Sequence, residues 1–345
     1  MSDSFQDIQL RKYRQTLYRS RNNVLMLVVL LLFAILISLL AGRYPQPGIA
    51  MAEAITGDPM MLSIIRDLRL PRVLLAIFGG AMLACAGFVF QLLFANPLVE
   101  PGFLGVSQGA SFGAAATIVF FGYSPILIQV SATFFGLAAL VMSYLLAKKF
   151  TFGGWILRLV LSGIAVGAFF SSALSIVKLA ADPSTSLQDI TFWMMGGLYN
   201  STWKSIVSVL PITVVSMMVL LAFRWRINVL SLDDRTAHSI GLSPAKEKAL
   251  LLFIATVGTT AVVAVSGIVS WIGLIIPHVS RRLFGSDSRF SLIGSMLLGA
   301  LFMLVCDTLG RTLFFGELPL GVLTSIIGAM LFVLLLSRKK SGVHL

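Results

Sequence analysis

Between Val73 and Ala147 the chain carries a single charged residue, Glu100. Nothing in water keeps such a stretch extended and exposed, and a soluble core offers no place for so much unbroken apolar sequence. In hydrocarbon each backbone N–H and C=O must find its partner inside the segment, so runs of about 20 apolar residues become spanning helices. The rest of the chain agrees. Charged residues make up 12% of its 345 positions and hydrophobic ones 57%, against about 25% charged in a typical soluble domain. The predicted fold is all-α and polytopic.

Spans are expected at 24–41, 70–94, 104–121, 125–147, 156–181, 204–223, 290–308 and 319–337, with breaks at Asn96-Pro97 and Gly122-Tyr123-Ser124-Pro125. Ala249 to Ser280 is uncharged throughout, long for one crossing and short for two at about 1.5 Å per residue. Lys246 and Lys248 precede it and Arg281 and Arg282 follow it. Placing both pairs in the cytoplasm makes the run cross twice, with a tight turn near Gly267. That yields about ten transmembrane helices with both termini cytoplasmic. The division expected is an N-terminal segment 1–23, a transmembrane domain 24–337 with a polar loop at about 229–248, and a tail 338–345. Most of the 26 Lys and Arg residues then lie inside, as the positive-inside tendency requires. The outside keeps Arg43, Arg66, Arg69, Arg72, Lys178, Lys204 and Arg311. The apolar run after residue 23 exceeds a usual signal-peptide core and is read as an uncleaved first span. Gly80/Ala84, Gly105/Gly109 and Gly163/Gly167 have the spacing that lets helices approach closely in lipid.

The net charge of +12 is distributed between apolar runs, where it sets orientation, and argues against nucleic-acid binding. Cys85 and Cys306 lie in separate apolar segments and have neither metal-ligand nor disulfide spacing. No cofactor motif and no phosphate-binding Gly-x4-Gly-Lys-Ser/Thr loop is present. Gly105-Val106-Ser107-Gln108-Gly109 has the form Gly-x-Ser-x-Gly of a hydrolase nucleophile elbow. That motif needs a strand before the serine and a histidine base, and His238, His278 and His344 are all placed elsewhere. Glycines at the start of a span instead suit close backbone packing around a broken helix.

Six segments, in order, resemble the permease subunits of ATP-driven importers for iron–siderophore complexes, haem and cobalamin, the FecCD family. They are RLPR at Arg69–Arg72, NPLVEPGFLGVSQGA at Asn96–Ala110, WMMG at Trp193–Gly196, LSLDDRTAHSIGL at 230–242, GLIIPHVSR at Gly273–Arg281 and ELPLGVLTSIIGA at Glu317–Ala329. The resemblance covers about residues 24–337. It implies ten helices per subunit, two subunits (the same or a sister chain) around a central path, a periplasmic binding protein delivering the cargo, and a pair of ATPase subunits beneath. The chain itself would be no enzyme and would sit in the bacterial cytoplasmic (inner) membrane, surrounded by lipid.

In the polar loop Asp233 or Asp234 can cap a short helix stopped by Gly241, and Ser243 can cap a second with Pro244 at its first position. The resemblance makes this helix pair the coupling element, with Asp233, Asp234, Arg235, Thr236, Ala237, His238 and Gly241 towards the ATPase. Asp233, Arg235 and His238 depart from the family's usual Gly-Asp-Glu-x-Ala-Arg-x-Leu-Gly. The resemblance also makes Arg69, Arg72 and Arg311 docking residues for the binding protein. The local alternative is an Asp307/Arg311 pair four residues apart and Asp67 neutralising Arg69. Met330 stands where the family commonly has proline. The translocation path is expected along the second, third and fifth spans, including Gly105, Ser107, Gln108 and Gly109. A rival reading is a proton- or sodium-driven transporter, which would need ionisable groups inside spans; Glu100 and Asp307 are the nearest. Iron–siderophore is the preferred cargo, with haem and cobalamin as alternatives.

Overall fold

The computed structural model of the chain describes residues 2–44, 48–49, 57–232, 234–313 and 316–337. Asp233 and the tail 338–345, with Arg338, Lys339, Lys340 and His344, lie outside them. Among the described residues the architecture is a helical bundle, with one strand pairing of two residues each, β1 (Ala41–Gly42) against β2 (Gly48–Ile49).

Each apolar stretch marked out by the sequence is helical. Helix α1 (Ser2–Leu40) runs without interruption from the polar N-terminal segment through the first apolar run. A short α2 (Pro59–Ser63) passes through a π-helical turn, Ile64–Arg69, into α3 (Leu70–Leu93). There follow α4 (Val106–Phe121), α5 (Pro125–Lys149) and α6 (Trp155–Leu179). Next come α7 (Ser186–Met195), α8 (Trp203–Ala222), α9 (Arg224–Leu230) and α10 (Asp234–Ser239). The chain closes with α11 (Pro244–Ser266), α12 (Ile272–Phe284), α13 (Ser288–Thr312) and α14 (Leu320–Ser337). Among the described residues seven helical stretches are long and apolar enough to cross a membrane by length and composition, while Val106–Phe121 and Leu320–Leu335 are apolar but shorter.

Burial separates the helices into two kinds. In the most apolar window of Pro59–Leu93, 83% of residues are buried inside the protein; in that of Leu17–Leu40 only 11% are. Helix α3 is thus the central post, and α1 presents most of its apolar surface outward, as a lipid-facing helix does. Small residues allow the post to be surrounded: a Cβ added at Gly80 would meet the carbonyl of Gly299 on α13, and one at Gly299 would meet Gly80 and Ala84. The small pair Gly80/Ala84 therefore serves contact of α3 with α13. Buried hydroxyls on α11 satisfy themselves within the helix, Thr256 donating to Leu252 O (2.7 Å) and Thr260 to Thr256 O (2.8 Å).

The uncharged run 249–280 breaks between α11 and α12, as its length requires. Gly267 has φ +64° and Trp271 φ +74°, so the chain turns in a left-handed conformation twice within five positions. The break is closed by a helix the sequence reading did not foresee, α7. Beyond its end, Gly197 N–H donates to Ser266 O (2.8 Å) and Gly196 O accepts from Leu320 N–H (2.9 Å). The WMMG segment thereby joins α7, the broken α11–α12 pair and the start of α14.

Candidate functional site: a translocation path and its two ends

A cavity of about 460 Å³ lies where the loop after α3, the start of α4, the middle of α6 and the α11–α12 break meet. Its wall includes Glu100, Gly105, Ser107, Gln108, Gly163, Gly167, Ser171 and Ser270. Gly105 is left-handed at φ +77°, and a Cβ there would stand 2.9 Å from Gly167 N on α6. Gly105 thus faces Gly163 and Gly167, and the lack of side chains lets the start of α4 pack backbone to backbone on α6 at the edge of the cavity. A 3-10 turn, Pro101–Leu104, leads into Ser107, where a nucleophile elbow would have a strand, and neither His238 nor His278 lines the cavity. Ser107 is a wall residue.

Of the four path residues expected from sequence, Gly105, Ser107 and Gln108 line this cavity, and Gly109 turns away. Its α-carbon packs on the backbone of Phe135 in α5. The third and fifth expected spans contribute, as α4 and α6, but the second does not; its place is taken by Glu100–Phe103 and by Ile268 and Ser270 of the helix break. The cavity is rich in acceptors. Gln108 Oε1 is buried without a hydrogen-bond partner. Burial pushes the Glu100 carboxyl, which lies in the loop between helices, up to about 7. Beside it, Gln91 on α3 donates to Gly273 O (3.2 Å) and Leu274 O (2.9 Å) and accepts from Arg281, which fixes the α12 backbone against α3.

At the end of the bundle where α1 finishes, the three expected docking arginines come together, with their heads turned inward. Arg69 is buried and donates through Nη1 to Leu39 O (2.8 Å) and Leu40 O (2.9 Å). Arg311 is buried and donates to Ala41 O (2.7 Å) and to Ser38. A helix leaves its last four carbonyls without partners, and these two guanidiniums supply the missing donors for α1. Arg72 pairs with Asp307 (Nε to Oδ1, 2.8 Å) and with Glu317 (Nη1 to Oε2, 2.9 Å). Asp307 also stands 3.7 Å from Arg311 Nε. Asp67 lies near Arg66 at 3.7 Å, where the local alternative had paired it with Arg69. The exposed charges around this cluster include Arg66, Asp67 and, in part, Glu317.

At the opposite end the polar loop forms one of the two short helices expected for it, α10; the helix opened by Pro244 is no separate short helix but the start of the long α11. Gly241 (φ +86°) ends α10, its N–H donating to His238 O (2.9 Å) and that of Leu242 to Ala237 O (3.2 Å). Pro244 opens α11, but Ser243 makes no side-chain cap; only its carbonyl serves, accepting from Glu247 N–H (3.0 Å). Asp234, Arg235, Thr236 and His238 are exposed, and Ala237 is fully buried. Asp234 accepts from Lys248 Nζ at 2.7 Å, and Arg226 on α9 donates to Glu247 at 2.8 Å. Asn228, also on α9, bonds both Asp287 Oδ1 and Ser288 N at 3.0 Å, at the start of α13. The sequence reading missed Leu232 and Ile240, each more than half exposed beside α10. Two large apolar side chains on a polar loop were a readable signal.

Residues 30–338 match the FecCD transport family. The chain is a member of that family. The molybdate import system permease protein MolB of Haemophilus influenzae is 38% identical over 323 residues, covering 92% of this chain and 95% of MolB. A probable iron chelatin transport system permease protein of Helicobacter pylori is 38% identical over 80% of this chain and 83% of its own length. A solved metal-chelate type ABC transporter in an inward-facing conformation superposes with a TM-score of 0.85 at 35% identity, covering 92% of this chain and 99% of the solved one. The fold class read from apolar run lengths is thus the fold of a FecCD permease.

Proposed function

We propose that the chain is the membrane subunit of an ATP-driven importer, and that the cavity between α4, α6 and the α11–α12 break is part of the path for a metal chelate. The observation that carries this reading is the cavity itself, about 460 Å³ between α4, α6 and the α11–α12 break in a chain of the FecCD transport family. Transport would be powered from outside the chain, by a pair of ATPase subunits docked on α10. Leu232 and Ile240 support this, since apolar side chains exposed on a polar cytoplasmic loop mark a protein contact. Asp234, Arg235, Thr236, His238 and Gly241 would present that contact, with Asp233 preceding them, and Ala237 would hold the helix down. A second permease subunit would complete the path in the bacterial cytoplasmic membrane.

The end bearing Arg69, Arg72 and Arg311 is the proposed docking face for a periplasmic binding protein. The inward geometry of Arg69 and Arg311 gives them the task of shaping that face; Arg72 is held by Asp307 and Glu317 with 14% of its side chain exposed, so a partner would meet Glu317 and Arg66 before it. Rim charges of this kind speed and orient docking more than they add affinity. Relatives carry names for molybdate, iron chelatin, cobalamin and hemin transport, and an iron–siderophore complex is the cargo proposed here. Glu100 favours one second reading, a proton-driven carrier, because it lines the cavity and burial pushes its carboxyl up to about 7.

The test is purification of tagged chain from its native cells in mild detergent, followed by intact-complex mass spectrometry and uptake assays. An ATPase bound in equal number to this chain, with uptake that follows ATP, supports the importer. Recovery of the chain alone, with uptake that collapses with the proton gradient and ignores ATP, overturns it in favour of the carrier.

A further inference from the structure

On the importer reading, displacement of α10 by an ATPase has to reach the cavity wall, and the covalent route is a compliant one. Between α10 and α11 the chain passes through Ile240–Ser243, where Gly241 is left-handed and has no atom within 4 Å of the position its Cβ would take. Two backbone hydrogen bonds, to His238 O and Ala237 O, close this turn, and no side chain packs on Gly241 to brace it against α11. A stiffer connection bypasses it. Lys248, on the second turn of α11, is buried down to its ammonium group, with 7% of the side chain exposed, and Nζ lies 2.7 Å from Asp234 Oδ1 at the start of α10. A buried ammonium needs a counter-charge, and Asp234, itself 65% exposed, supplies it from the solvent side, so the ion pair joins α10 to α11. The neighbouring residue, Glu247, takes Arg226 of α9 at 2.8 Å, which grips the same turn of α11 from another side.

From this turn α11 runs unbroken to Ser266, about 27 Å at the helical rise, and ends at the break whose residues Ile268 and Ser270 line the cavity. We propose that the Lys248–Asp234 ion pair, backed by Arg226–Glu247, is the tie that makes α10 and α11 one lever and so carries displacement of the cytoplasmic helix pair to the cavity wall. Lys248 and Asp234 are positioning residues in this role. They need touch neither nucleotide nor cargo.

The test uses the chain in complex with the ATPase that copurifies with it, reconstituted in proteoliposomes, so no cargo has to be known. Spin labels at Phe253→Cys on α11 and Leu32→Cys on α1 report the movement of α11 as a distance change between the nucleotide-free and ATP–vanadate states. The native Cys85 and Cys306 are buried and stay out of the labelling. Lys248→Met keeps the apolar stem and removes the tie. The expected result is ATP hydrolysis within about twofold of the parent, together with loss of the distance change, because the coupling belongs to the pair. In a parallel variant with unlabelled α1 and α11, Asp234→Cys and Lys248→Cys joined by a short bis-maleimide replace the ion pair with a covalent tie. ATP–vanadate protection of the α11–α12 break from hydrogen exchange should be absent before cross-linking and return after it. A Lys248→Met complex that retains the distance change overturns the proposal, as does a cross-linked pair that fails to restore protection. If Lys248→Met does not assemble, the cross-linking pair decides alone. A parent chain that recruits no ATPase refutes the importer reading itself, and the tie with it.

Discussion

Replacing Asp307 by asparagine tests whether the arginine cluster braces the end of the bundle where α1 finishes. The side chain is 1% exposed. It accepts two hydrogen bonds from Arg72 Nε, at 2.8 and 3.0 Å, and faces Arg311 Nε at 3.7 Å. That last nitrogen is buried and has no hydrogen-bond partner, so the carboxylate is its electrostatic compensation. Asparagine keeps the shape and one acceptor but removes the charge, leaving two guanidiniums facing each other. Removing one member of a buried pair typically costs about 3–5 kcal/mol. Here Arg72 keeps Glu317, and Arg311 keeps the carbonyls of Ser38 and Ala41, so a loss just below that range, about 2–3 kcal/mol, is expected. At about 2 °C per kcal/mol for a chain of this size, the melting temperature in detergent should fall by about 5 °C. A cycle with Arg311→Met should show that the two losses are not additive, since both act on one contact. An Asp307→Asn protein that melts with the parent, or two losses that simply add, would refute the brace.

Three further outcomes are expected. Glu100 has its folded pKa raised from the ordinary carboxylate range to about 7, so the folded state binds the proton more tightly than the unfolded one. Its stabilising contribution is therefore greatest below the unfolded value of about 4.3 and is lost as pH rises to about 7, remaining flat above. Melting curves from pH 5 to 8 should show a fall that Glu100→Gln lacks, and parallel profiles would contradict this. Gly299→Val drives a branched side chain into the Gly80 carbonyl and Ala84, an overpacking that costs about 1–3 kcal/mol or more when backbone must move. Folded yield on size exclusion should drop sharply, while Gly154→Ala, with nothing within 4 Å, should elute as the parent does. Gly267→Ala meets both a left-handed φ of +64° and the Trp193 carbonyl, and should lower the melting temperature more than Gly154→Ala; equal values would remove the tight α7 contact from the account.

Along the chain, sequence determined where helices form, because desolvating a backbone in lipid leaves a run of apolar residues only one way to pair its own N–H and C=O groups. The break near Gly267 in the run after Ala249, the stop of α10 at Gly241 and the glycine-built start of α4 were legible for this local reason. So was the family, from six motifs in order. Tertiary structure decided which side chains meet. Arg69 and Arg311 look like surface charges in a list of outer cations, yet they point at the end of α1, 29 to 273 positions away in sequence. Gly105 and Gly109 share one spacing motif and face different helices. The short α7 was hidden because ten residues between two long apolar runs carry little periodic signal, and its task, closing the α11–α12 break, exists only once the bundle is assembled. Local polarity tells how a segment meets its solvent. It does not name the donor that will satisfy a distant carbonyl, because that donor is chosen by packing.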